Sequence, residues 1–143
     1  MSRVREILMN RVLFSVEENE TVAGVARQMA EFRVGAILVL KEAELRGVFS
    51  ERDLMLRVVL QRLDPETTPV SAVMTSDVAT IDESASLEEA MEAMHRRSCR
   101  HLPVTRASDV VGFLSMRDLM DFQLARQTEE LLHMKAYIHG VGA

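Results

Sequence analysis

One seven-residue motif occurs twice. Gly47-Val48-Phe49-Ser50-Glu51-Arg52-Asp53 returns 65 positions later as Gly112-Phe113-Leu114-Ser115-Met116-Arg117-Asp118. At that offset an ungapped overlay extends well beyond the motif. Met9 falls on Met74, Ser15 on Thr80, Val16 on Ile81, Thr21 on Ser86, Met29 on Met94 and Val39 on Val104, and Leu54-Met55 falls on Leu119-Met120. Internal repetition constrains a fold more tightly than local propensity does. Two copies are too few for a solenoid, which needs at least three to stabilise itself. Two copies that bury a face against each other make one pseudo-symmetric domain. A chain of 143 residues suits such a domain, burying roughly two-thirds of its unfolded surface.

Each motif reads as a strand end running into a helix start. Two apolar residues follow the glycine, and the Ser-x-x-Asp spacing (Ser50 to Asp53, Ser115 to Asp118) is a capping-box signature. The N-terminus of a helix carries free N–H groups and the positive end of the dipole, both favourable to anions. Ser and Asp also suffice as a cap alone, with the arginine a solvated surface residue. Arg at the same place in both copies (Arg52, Arg117) is more than a cap requires.

The expected order is β-α-β-β-α, twice. Val4, Ile7 and Leu8 have helical spacing and predict a short first helix packed on the first repeat. Val12–Val16 is a β-rich run, and Thr21 caps a helix whose apolar stripe is Val22, Val25, Ala26, Met29 and Ala30. Val34–Leu40 is an apolar run expected as a buried strand. The chain turns at Lys41–Glu44, returns as a strand through Phe49, and enters the helix that Ser50 starts. Residues 1–61 form the first repeat, 62–70 a Pro- and Thr-containing linker, 71–125 the second repeat, and 126–143 a helical tail. In the second repeat Ser86 caps the equivalent helix, and Pro103 stands in a strand, where proline is tolerated only near an edge or end. After Asp118 the helix runs on without Gly or Pro to Gly140. Its second half is apolar at Leu124, Leu131, Leu132, Met134, Tyr137 and Ile138. That face is buried either against a partner subunit or by folding back on its own domain.

Composition excludes several classes. Charged residues are 27% and apolar residues 48%, with a net charge of −5. An acidic chain lacks the basic footprint of general nucleic-acid binding. No run reaches eighteen apolar residues and no signal-peptide h-region is evident, so no membrane association is expected and the chain reads as cytoplasmic. The single cysteine, Cys99, permits no internal disulfide and aligns with Val34, as a small packed residue. The four histidines lack zinc-ligand spacing, no phosphate-binding glycine loop occurs, and no catalytic constellation is visible. The chain reads as a binding module, not an enzyme.

The duplicated motif, its spacing, and the segment Arg100-His101-Leu102-Pro103-Val104 resemble a pair of CBS (cystathionine-beta-synthase-type) domains across roughly residues 4–124. The resemblance implies an α/β (α+β) CBS pair with a pseudo-two-fold axis and an extended C-terminal helix, often a homodimer. It also implies an adenine-nucleotide ligand (AMP, ADP, ATP or NADH) with no required cofactor, and regulation of a protein partner. Carried onto this sequence, it places the ribose hydroxyls on Asp53 and Asp118, and phosphate near Ser50, Ser115, Arg52 and Arg117. The adenine falls near Leu13 and Val78, and Thr75 is a further nucleotide-binding candidate. The strand starts Val34-Gly35-Ala36 and Cys99-Arg100-His101 would line the clefts, with Arg100 and His101 approaching phosphate oxygens. An acceptor-only carboxylate suits the two donors of a cis-diol. The two clefts are not expected to be equal, because Arg100 and His101 stand where the first repeat has Gly35 and Ala36. Two other readings stay open: a ligand-free dimerisation scaffold whose motifs serve only as caps, and a thiol redox sensor through Cys99.

Overall fold

The computed structural model describes residues 2–9 and 11–141. Met1, Asn10, Gly142 and Ala143 lie outside the described residues, so the outermost positions of the first repeat and the tail are not placed. The chain forms α1 (Val4–Leu8), β1 (Ser15–Glu17), α2 (Val22–Phe32), β2 (Ala36–Lys41), β3 (Glu44–Ser50) and α3 (Glu51–Asp53), which widens into a π-helical stretch over Leu54–Val59. A 3₁₀ turn follows at Val70–Ala72, then β4 (Ile81–Asp82), α4 (Leu87–Arg97), β5 (His101–Arg106), β6 (Asp109–Ser115) and α5 (Met116–Ala136), whose end is π-helical over Tyr137–Val141. Each repeat is therefore β-α-β-β-α. Within the described residues no helix is long and apolar enough to cross a membrane.

The helices form where the sequence caps them. Thr21 accepts from the Gly24 N–H at the start of α2, and Ser86 with Glu89 makes a capping box at the start of α4. Both helices end on a left-handed residue, Arg33 and Ser98, whose N–H returns to the last turn. Each sheet has three strands, β1-β2-β3 and β4-β5-β6. The first pair in each is parallel and the second antiparallel. The register repeats with the sequence: Ala36 opposes Ser50 as His101 opposes Ser115, and Val39 opposes Gly47 as Val104 opposes Gly112. Pro103 sits in the central strand, yet β4 pairs only with Val104 and Thr105. In the first repeat β1 extends one pair further, to Leu38, the position equivalent to Pro103. The proline thus lies past the end of β4, where no ladder hydrogen bond is lost.

The packing of α1 corrects the sequence expectation. Val4 and Ile7 are buried with Ile81, Leu87, Met94, Leu102 and Leu114, in the core of the second repeat and not the first. Backbone bonds hold the helix there: Val4 N–H donates to Ala85 O and Arg5 N–H to Glu83 O, both at 2.9 Å. The segment before the second repeat makes the reciprocal crossing. Val70 and Val73 are buried with Val16, Val25, Ile37 and Phe49, and the α2 amides of Val22 and Ala23 donate to the linker carbonyls of Thr68 and Pro65. Each repeat therefore completes the other's core, as a two-fold arrangement requires, and the sheets touch through β3 and β6. The tail helix does not fold back. Leu124, Leu131, Leu132, Met134, Tyr137 and Ile138 are all more than half exposed.

Candidate functional site

Both motifs fold into the capping box their spacing predicts. Asp53 N–H donates to Ser50 Oγ (3.2 Å) while Ser50 N–H donates to Asp53 Oδ2 (3.0 Å). The second copy repeats this at 3.0 and 2.8 Å between Ser115 and Asp118. The first helical amide of each motif is tied to the preceding strand start: Glu51 N–H donates to Gly35 O and Met116 N–H to Arg100 O.

The remaining carboxylate oxygen distinguishes the two copies. Asp53 Oδ1 accepts from the Thr75 hydroxyl at 3.0 Å, and the residue is buried. Asp118 Oδ1 accepts instead from the Arg11 guanidinium at 2.6 Å, with 17% of the Asp118 side chain and 47% of the Arg11 side chain exposed. Both donors belong to the crossing segments, but Arg11 aligns with Ser76, so the two ends of the molecule are unlike. Burial raises the Asp118 pKa, yet the Ser115 backbone N–H, the Arg11 guanidinium and the Ser115 hydroxyl together hold it below 3.8.

A cleft of about 310 Å³ opens at the second motif. Its walls come from both repeats. Leu8, Arg11–Phe14 and Arg33–Ala36 face His101, Val111–Phe113, Ser115, Arg117 and Asp118. The volume lies at the lower end of the roughly 300–1,000 Å³ usual for small-molecule sites. A more open groove beside Met29, Leu54 and Glu51 shares Arg33, Val34, Gly35 and Arg117 with it. Three arginines and one aspartate line the cleft, a local excess of positive charge in an acidic protein. Val12 and Leu13 stay exposed at 73% and 36%, an apolar wall suited to a flat ring. His101 stacks on Phe113 with centroids 5.3 Å apart. Burial lowers its pKa below 6.5, outweighing the pull of Asp118 and Glu51 toward the charged form. A neutral imidazole, three guanidinium groups and an acceptor-only carboxylate can bind an anion that also carries hydroxyl donors.

The structure gathers Leu13, Val34, Gly35, Ala36, His101, Ser115, Arg117 and Asp118 into this one cleft. Ser50, Arg52, Asp53, Thr75, Val78, Cys99 and Arg100 lie outside its lining. Arg52 and Arg100 are exposed, and Cys99 packs against the second core. Sequence reading missed Arg11, Phe14 and Arg33. At Arg11 and Arg33 the two copies differ (Ser76 and Ser98), so repetition gave no signal for them. Among the described residues no group of three His, Cys, Asp or Glu side chains could hold a metal ion.

Comparison with known proteins matches this geometry to one group. The sequence model of the CBS domain family matches residues 4–60 and 70–125. The CBS domain-containing protein YhcV of Bacillus subtilis is 32% identical over 128 residues, 90% of each chain. A putative signal-transduction protein with CBS domains from Burkholderia ambifaria is 32% identical with a TM-score of 0.84, over 88% of this chain and 96% of that one. The Pyrobaculum aerophilum CBS domain protein PAE2072, complexed with AMP, is 33% identical with a TM-score of 0.74, over 82% of this chain and 89% of that one.

Proposed function

The chain belongs to the CBS-domain family, as a tandem pair within one domain, and from that premise we propose that it is a regulatory sensor of an adenine nucleotide bound in the cleft at the second motif. The observation that carries this reading is Asp118. Its carboxylate is oriented by the capping box at the edge of a cleft bounded by an apolar wall and three arginines. A ribose would place its hydroxyls on Asp118, the base would lie along Val12 and Leu13, and the phosphate would meet Arg11, Arg33, Arg117 and the α5 N-terminus. That a relative 33% identical binds AMP supports the choice of adenine nucleotide. Regulation follows from where the cleft lies. Its walls belong to both repeats, so the ligand favours whichever arrangement of them fits it better, by its differential affinity. The exposed apolar residues along the second half of α5 and its π-helical end are proposed as the self-association surface of a homodimer.

The test is titration calorimetry with AMP, ADP, ATP, NADH and GMP, and with deoxy-AMP as control. Loss of the 2′-hydroxyl leaves Asp118 short of a donor in a partly dry site. That weakens binding by about 1–3 kcal/mol, roughly ten- to a hundredfold. Equal binding of AMP and deoxy-AMP removes Asp118 from the ribose. A second reading, a ligand-free dimerisation scaffold, is favoured by one observation: protein donors already occupy both oxygens of Asp53 and of Asp118. Absence of stabilisation by every nucleotide in the series would select it.

A further inference from the structure

Resting on the nucleotide reading above, we propose that Arg11 is a phosphate-binding residue which ribose and phosphate transfer between them. It is bonded to Asp118 Oδ1 and moves to the phosphate when a ribose takes that oxygen, so the site accepts nucleotides and resists nucleosides. The two motifs make the case by contrast. Asp53 Oδ1 is closed by the neutral Thr75 hydroxyl at 3.0 Å, which is held by backbone that pairs with Val48. The nearest guanidinium, Arg57, stands at 3.8 Å, and Asp53 is buried outside the lining of the cleft. Asp118 is closed by a long cationic side chain, half exposed at the mouth of a cleft.

The two oxygens of Asp118 have different partners. Oδ2 accepts from the Ser115 N–H, which belongs to the helix cap and stays. Oδ1 is the oxygen turned to the crossing segment, and Arg11 already holds it at 2.6 Å. A ribose hydroxyl reaching Oδ1 therefore competes with a charge-assisted bond about twice as strong as a neutral one. A neutral nucleoside offers the displaced guanidinium nothing in return. A nucleotide offers it a phosphate, and Arg11 lines the same cleft as Arg33 and Arg117, whose charges mark where that phosphate lies. Discrimination comes from that exchange of partners, with the carboxylate given up for a phosphate of equal or greater charge.

The test is calorimetry with adenosine and with AMP on the wild-type chain and on Arg11→Gln and Arg11→Lys. Arg11→Gln should weaken AMP by roughly tenfold or more, the scale of one charge-assisted hydrogen bond, and bind adenosine at least as tightly as the wild type. Arg11→Lys should recover part of the AMP affinity. Parallel loss of adenosine and AMP would show that Arg11 only orients Asp118, and unchanged affinity for both would show that it does not meet the ligand. Either result overturns the inference while the wild type still binds AMP. A wild-type chain that binds neither compound overturns the nucleotide reading itself, and this inference with it.

Discussion

Gly112 stands so close to Leu8 that a Cβ atom on it would lie 2.5 Å from Leu8 Cδ1. Leu8 closes the crossing helix α1, so the motif glycine is the surface on which the exchanged segment lands. Gly47 plays the same part for the other crossing. A Cβ there would lie 2.5 Å from the Thr75 carbonyl oxygen and 2.8 Å from Met74 Sδ. The glycine that opens each motif is required by the swap of segments between repeats, and not by a left-handed backbone.

The two glycines should therefore differ in tolerance. Gly47→Ala collides with a backbone oxygen that is locked by mutual bonds between Val48 and Thr75 at 2.9 Å. It should cost about 1–3 kcal/mol, the usual range for overpacking. Gly112→Ala meets the end of a leucine side chain, which can change rotamer, and should cost less. Urea denaturation of both variants gives the comparison. A larger loss for Gly112→Ala would contradict the account.

Two groups in the cleft should make stability fall with acid, in separate windows. His101 has its folded pKa depressed, so its contribution is whole above the ordinary value of 6.5 and is lost as pH falls through the folded value. Asp118 is also depressed, and its contribution is whole above 3.8 and lost at lower pH still. His101→Gln should flatten the decline that begins near pH 6.5 and leave the more acidic one intact; Asp118→Asn should do the reverse. Thermal melts across pH 3 to 8 read both. An anion bound beside His101 favours its charged form, so AMP binding near pH 6 should take up protons, measurable as a buffer-dependent calorimetric enthalpy.

Removal of residues 127–143 should weaken self-association while leaving the domain folded. Leu131, Leu132, Met134, Tyr137 and Ile138 are exposed, and of the α5 residues Leu119, in the first turn, is the one fully buried. Light scattering over a concentration series checks this. A truncated chain with the same association constant as the full chain would assign the interface elsewhere.

Much of the fold was decided locally, and so could be read from the sequence. The stripe of Val22, Val25 and Met29 behind a Thr21 cap makes α2 wherever it is placed, and Ser-x-x-Asp closes its box within one turn. The 65-residue repeat then made one repeat's elements predict the other's. Other features depend on partners distant in the chain. The hairpin turns place Glu42, Ala43, Ala107 and Ser108 at positive φ without a glycine among them, because the flanking ladders demand that twist against each residue's own preference. The apolar face of α1 would suit either core, and only the backbone bonds to Glu83 and Ala85 decide that it completes the second. Arg11 lies 107 residues from Asp118, and nothing near either one announces the other. Capping and amphipathic burial act over a few residues and leave a periodic trace in the sequence. Which carboxylate faces which arginine is settled by the crossing of two segments, and that is a property of the packed chain alone.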